Sequence, residues 1–254
     1  MFLPSIWYFW AVSTLIQTEG IVIKTMKYGE TSIITHVLTR QHGLQTLIMG
    51  GVNAGHNKSG MFQIMNQLEL VLYYNEHKPM HRIKEVRYSR IYQALPFEMS
   101  RTAVGVFMLE LLRKCIQGND FDCDLYDWIK ACLDHSDDAS LPVTWMPLHF
   151  ILGLTRHLGF QPLDNHDEGR PFFDLREGRF IEARPYHKDY LESEPSCLLH
   201  QIIASGDLVH ISTFSCPRQV RKELMYGLLD YYRFHLDHFN GLDSPLILEE
   251  ILTA

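Results

Sequence analysis

The hydrophobic period of this chain changes once, near Leu95-Pro96, from two residues to about 3.6. Before that point, short segments alternate apolar and polar side chains between glycine-bearing turns, the pattern of antiparallel strands with one buried face. Thr18–Lys27 and Thr31–Arg40 flank Tyr28-Gly29-Glu30. Gln41-His42-Gly43 then turns into Leu44–Val52, and after a loop at Asn53–Gly60 come Gln67–Asn75 and Met80–Tyr92. In Gln67–Asn75, Leu68, Leu70, Leu72 and Tyr74 alternate with Glu69, Val71 and Tyr73. Five such strands in about 75 residues fit a small barrel of the OB kind.

Beyond Leu95 the spacing is helical. Val104, Phe107, Met108, Leu111, Leu112 and Cys115 form one apolar stripe on a helix from about Ser100. Further helices are expected over Leu125–Leu133, over Thr144–Leu158 with Gly159 and Pro162 closing it, from Pro217 to near Phe239, and from Ser244-Pro245. Residues 163–200 read as irregular, with Gly169-Arg170-Pro171 and Arg184-Pro185 as breakers. The expected fold is therefore a multidomain α+β one, an OB-fold β-barrel over 15–95 followed by a mostly α-helical domain over 96–254. Residues 1–14 read as a dispensable leader. They lack the basic start of a signal peptide, and Pro4, Ser5, Ser13 and Thr14 break up the roughly 20 apolar residues that a membrane span needs.

Charge divides at the same boundary. The net charge of −7 averages a basic front and an acidic body: residues 1–95 carry nine Lys/Arg against five Asp/Glu, and the remainder 14 against 25. Such asymmetry points to a basic module on an acidic carrier. Cys115, Cys123, Cys132, Cys197 and Cys216 are odd in number and form no C-x-x-C pair, so neither a disulfide framework nor a four-thiolate zinc site is indicated, and a reducing cytosol suits them.

Motifs of catalysis are missing. Gly50-Gly51-Val52-Asn53-Ala54-Gly55-His56-Asn57-Lys58 imitates a phosphate loop, but His56 and Asn57 precede the lysine and a strand follows where a helix is required. Asp120, Asp122 and Asp124 begin like a calcium loop, yet Leu125 stands at the glycine position and Ala131 at that of the bidentate glutamate. His77/His81 and His235/His238 lack the further ligands of a metal site. No enzymatic function, cofactor or metal is expected.

The constructive signal is cationic and aromatic. Lys24, Lys27, Arg40, Lys58, Arg82, Lys84 and Arg87 are interleaved with tyrosines along the strands, and Tyr28 sits at the first turn between Lys27 and Gly29. Cations for phosphates and an aromatic face for a base are what a single-stranded nucleic acid requires. A solvated barrel face defended against edge pairing would also carry such charges. In Met80–Tyr92, Arg82, Lys84 and Tyr88 share one strand parity and Arg87 has the other. In the acidic body, Arg218, Arg221 and Lys222 occupy the first turn of the Pro217 helix, where cations oppose the helix dipole. Either an anionic partner or an acidic neighbour within the fold would account for them.

Thr18-Glu19-Gly20-Ile21-Val22-Ile23-Lys24-Thr25 with Tyr28-Gly29-Glu30-Thr31-Ser32 resembles the amino-terminal signature of the bacterial RecO recombination and repair family. The similarity continues through Leu38-Thr39-Arg40-Gln41-His42-Gly43, Gly50-Gly51-Val52 and Ile83-Lys84-Glu85. It returns at Leu158-Gly159-Phe160-Gln161-Pro162, Phe173-Asp174-Leu175, Gly178-Arg179-Phe180 and Ser244-Pro245-Leu246-Ile247-Leu248. The resemblance spans roughly residues 15–252. It implies a cytoplasmic, nucleoid-associated mediator without catalytic activity that binds single- and double-stranded DNA, anneals complementary strands and helps load RecA. The partners it implies are RecR and the acidic tail of the single-stranded-DNA-binding protein. On that reading Lys24, Lys27, Tyr28, Arg40, Lys58, Arg82, Lys84 and Arg87 contact DNA. An acidic peptide is received by Arg218, Arg221 and Lys222 or by the stripe around Phe107 and Leu111. Many members of the family carry four zinc-binding cysteines after the Gly-Phe-x-Pro segment. Here Asp164-Asn165-His166-Asp167-Glu168 stands where the first pair would lie, so packing of Phe172, Phe173 and Phe180 is expected to replace the metal. The rival reading is a scaffold whose barrel binds protein rather than DNA; a nuclease would need a metal-ligand set that the sequence does not offer.

Overall fold

The computed structural model describes residues 13–51, 58–116 and 122–252, so residues 1–12 of the expected leader lie outside the described residues. The chain divides into two compact units, one holding the strands up to Ile91 with a segment ending at Tyr126, the other holding the rest.

In the first unit, β1 (Thr14–Tyr28), β2 (Ser32–Thr39), β3 (Gly43–Met49), β4 (Gln67–Tyr74) and β5 (His81–Arg90) close into a barrel in the order β1-β2-β3-β5-β4. Long β1 makes closure possible, because its first half pairs with β4 and its second half with β2. Gly20 sits where the two pairings meet, and a Cβ there would stand 2.4 Å from Val37 Cγ1. Gly29, at φ 63°, supplies the left-handed residue of the β1–β2 turn. Val22, Ile33, Val37, Leu47, Leu68, Leu70, Leu72 and Ile83 fill the interior, and Phe62 from a 3₁₀ turn at Lys58–Phe62 plugs it.

One end of the barrel carries a sandwich of His42, Tyr74 and His81, with both ring–ring separations 4.6 Å. His81 is 3% exposed. Burial, then the charges of His42 and Lys78, hold its pKa below the usual histidine range, and burial lowers that of His42. The unfolded chain takes up protons at these rings as pH falls through about 6.5, whereas the folded barrel resists them. Their stabilising contribution is thus complete above that pH and is lost below it. Thermal denaturation should show a lower midpoint at pH 5.5 than at pH 7.5, and His81→Phe should shrink that fall. An undiminished fall in the variant would place the acid sensitivity elsewhere.

The second unit holds α1 (Met99–Cys115), α2 from Cys123 to Asp137 beyond its first turn, α3 (Met146–His157), α4 (Ser193–Ser205), α5 (Leu208–Ile211), α6 (Arg218–His235) and α7 (Ser244–Ile251). Its segment 163–200 corrects the expectation of irregular chain. Phe172–Asp174 (β6), Arg179–Ile181 (β7) and Tyr190–Leu191 (β8) form a small sheet in the order β7-β6-β8, and α4 follows at once. Strands of two or three residues are too short to show alternation, and Pro195 lies in the first turn of α4, where a helix tolerates it. Phe173 and Phe180 pack edge to face at 4.9 Å, both fully buried, while Phe172 points the other way beneath the Arg184 guanidinium. Helix α6 stops at His235, because Leu236 turns to extended geometry.

Two buried groups join the start of this unit. Asp137, the last residue of α2, accepts hydrogen bonds on one oxygen from the backbone N–H groups of Gln93, Ala94 and Leu95 at 2.8–2.9 Å. Arg101 of α1 donates to the carbonyl of Ser136, one of the acceptors that the end of α2 leaves open, and to those of Ala139 and Leu141 in the loop beyond it.

Candidate nucleic-acid interface

Two β-bulges decide which cations of the barrel can act together. Val22 belongs to the interior, and strict alternation would send Lys24 inward with it. The register of β1 against β2 shifts between Val22 and Lys24, and the extra residue, Ile23, turns Lys24 outward with Met26 and Tyr28. Lys27 has the other parity. It lines a cleft of about 560 Å³ at the barrel mouth with Thr25, Glu30, Ser32, Phe62 and Gln63.

The second shift, between Val71 and Leu72 of β4, leaves Lys84 of β5 unpaired. It corrects the parity expected for β5: Arg82 and Arg87 share the outer face, with Ile83 and Val86 both turned to the core. Shared parity does not bring them together. Arg87 lies opposite Glu69, 3.5 Å away, and Glu69 lies opposite Glu19. Lys84 pairs with its neighbour Glu85 at 3.6 Å. Arg40 follows Thr39 at the far end of β2 from Tyr28, its N–H bonded to the Glu19 carbonyl. Lys58 opens the 3₁₀ turn, and its side chain lies outside what is described.

What the barrel does assemble is an outward row running around it. Met26 registers with Ile34, Ile34 with Ile48, Ile48 with Arg82, Arg82 with Tyr73, and Tyr73 with Leu15. At about 4.8 Å per strand the row is roughly 24 Å long. Met26 is 39%, Tyr73 41% and Leu15 53% exposed. Beside it stand Lys24, opposite His36, on one side and Tyr28, 56% exposed, on the other. The row and its flanks thus string two cations, two tyrosines and apolar area along one outward cross-strand line. Sequence reasoning found Lys24, Tyr28 and Arg82 but missed Met26, Ile34, Ile48 and Tyr73, which only the cross-strand register unites.

In the second unit, Arg218, Arg221 and Lys222 line one cleft of about 70 Å³ with Pro147, Leu148, Met225, Leu248 and Leu252. The Arg221 guanidinium lies 5.2 Å from the centre of the Trp145 ring. Lys222 meets Glu249 of α7 at 2.5 Å, and the Tyr226 hydroxyl donates to the same carboxylate at 3.2 Å. Phe107 and Leu111 require a correction as peptide-binding residues. Both are 0% exposed, because their stripe faces the helical core. An apolar stripe at helical spacing marks burial, and on α1 burial is complete.

Among the described residues no group of three His, Cys, Asp or Glu side chains could hold a metal ion. No described helix is long and apolar enough to cross a membrane.

Residues 13–92 match the family described as recombination protein O N terminal, and residues 96–242 the one described as recombination protein O C terminal. Similar proteins include the DNA repair protein RecO of Christiangramia forsetii, 30% identical over 93% of this chain and 99% of that protein. Those of Phocaeicola vulgatus and Porphyromonas gingivalis are 26% and 25% identical over 93% of this chain and 99% of each protein. None of these descriptions names a catalytic activity.

Proposed function

The chain belongs to the recombination protein O family, and on that footing we propose that it is a DNA-binding recombination mediator of repair that anneals complementary single strands and assists RecA loading. The observation that carries this reading is the outward cross-strand row that links Lys24, Arg82, Tyr28 and Tyr73 around the barrel. Lys24 and Arg82 neutralise phosphates, while Tyr28 and Tyr73 stack bases without regard to sequence. Lys27 adds charge at the mouth and Lys58 is a further candidate; Lys84 and Arg87 contribute less, being paired with Glu85 and Glu69, as does Arg40 at the far end of β2. Annealing follows if such a surface screens the repulsion between two strands while leaving base edges open. The protein acts in the bacterial cytoplasm at the nucleoid, without a cofactor. RecR is a partner, and the cleft of Arg218, Arg221 and Lys222 receives the acidic tail of the single-stranded-DNA-binding protein.

The test is a titration of the intact protein with a single-stranded oligonucleotide across a salt series. Each neutralised phosphate contributes about −0.7 to the slope of log K against log salt, so Lys24, Lys27 and Arg82 give about −2, and all seven barrel cations about −5. Affinity indifferent to salt, or no acceleration of annealing between complementary oligonucleotides, would overturn the reading.

A further inference from the structure

The cationic cleft of the helical unit already contains an anion. Glu249, on α7, places one carboxylate oxygen 2.5 Å from the Lys222 Nζ and the other 3.2 Å from the Tyr226 hydroxyl. The ammonium of Lys222 and its hydrogen bond hold the Glu249 carboxyl below the usual carboxylate range, with Tyr226 and Arg218 adding to the effect. The three cations of the cleft are therefore not equivalent. Lys222 is engaged by an internal carboxylate, Arg221 leans on Trp145, and Arg218 has no ion-pair partner among the described residues. The apolar lining of Leu148, Met225, Leu248 and Leu252 comes from α3, α6 and the α7 region that delivers Glu249.

We infer that Glu249 is a built-in competitor for this cleft, a carboxylate that occupies Lys222 and must yield it before an acidic peptide gains the third cation. This rests on the reading of the cleft as a site for an acidic tail. The arrangement sets specificity by charge. A peptide with a single carboxylate meets Arg218 and Arg221 and gains nothing by displacing Glu249. One with several adjacent carboxylates can exchange for it, because a carboxylate replaced by a carboxylate leaves Lys222 neutralised throughout. The competitor so selects dense acidity and keeps binding reversible.

The probe is a fluorescein-labelled peptide of three aspartates followed by two leucines, with a free carboxyl terminus, titrated by anisotropy against the intact protein. Arg221→Glu should weaken its binding. Glu249→Gln should tighten it by about two- to fivefold, the scale of one partly exposed ion pair released. Lys222→Gln alone should also weaken binding, since the peptide loses the third cation and Glu249 stays in the cleft without its partner, and in the Lys222→Gln background Glu249→Gln should bring a smaller gain than in the parent. A gain that is undiminished without Lys222 overturns the inference, because Glu249 would then act only through net charge. Equally, binding that Arg221→Glu weakens but Glu249→Gln leaves unchanged overturns the competitor and spares the docking site. Absence of binding to both the parent and Glu249→Gln overturns the docking site and the competitor with it. Far-ultraviolet ellipticity of each variant separates these outcomes from loss of α7.

Discussion

Replacing Asp137 with alanine is expected to lower the thermal midpoint of the helical unit by roughly 10 °C, at a cost of about 3–5 kcal/mol. The carboxylate receives three successive backbone N–H groups, from Gln93, Ala94 and Leu95, as the chain enters the helical unit. Ala94 and Leu95 are buried, so water cannot take over as acceptor there, and each orphaned donor costs about 1–3 kcal/mol. Gln93 is exposed and can be rehydrated. Asp137→Asn keeps an acceptor oxygen and should lose less than about half as much. Far-ultraviolet ellipticity followed through heating measures both. Equal losses for the two variants would show that charge, and not the count of satisfied donors, is what Asp137 supplies.

Nothing in the sequence marks Asp137 for that role, since it is one of two adjacent aspartates near the end of an amphipathic helix. Three N–H groups some forty residues earlier converge on it only once the end of α2 meets the chain leading into α1. Patterns carried by neighbouring residues were, by contrast, open to reading. Leu68, Leu70 and Leu72 alternate because β4 has one face in the barrel core, and all three are fully buried there. The spacing of Phe107 and Leu111 marks one face of a helix but not which way it looks, because periodicity reports burial without saying against what. Strands β6, β7 and β8 left no signal because two or three residues do not make a period.

The barrel cations show the same limit more sharply. Strand parity is counted residue by residue, and one bulge inverts it for everything downstream. Ile23 and Lys84 each introduce such an inversion, so that Lys24 faces out and Arg87 shares a face with Arg82. A bulge has no fixed composition, and the Ile-Val-Ile run of β1 gives no hint that its last member is the extra residue. The row from Met26 to Leu15 depends further on the parallel contact of β3 with β5, a pairing of strands that are not consecutive in sequence. Candidate residues could be named from the sequence; their grouping required the closed barrel.

Lys24→Glu with Arg82→Glu is expected to weaken single-strand binding by about 100-fold at moderate salt and to make the salt slope shallower by about 1.4, two phosphates at 0.7 each. Arg40→Glu with Arg87→Glu changes net charge by the same amount, yet these residues lie apart from the row, Arg87 paired with Glu69 and Arg40 at the far end of β2. Their reversal should weaken binding less than about fivefold, the residue of long-range field alone. Tyr28→Ala supplies the complementary measurement. Loss of one stacked base costs about 1–3 kcal/mol and, carrying no charge, should leave the salt slope where it was. Equal losses for the two charge-reversal pairs would mean that the barrel attracts DNA only through its overall charge, and the row would have no claim to be the contact surface. A Tyr28→Ala variant that binds normally would remove stacking from the β1–β2 turn and leave Tyr73 as the aromatic beside Arg82 to be tested next.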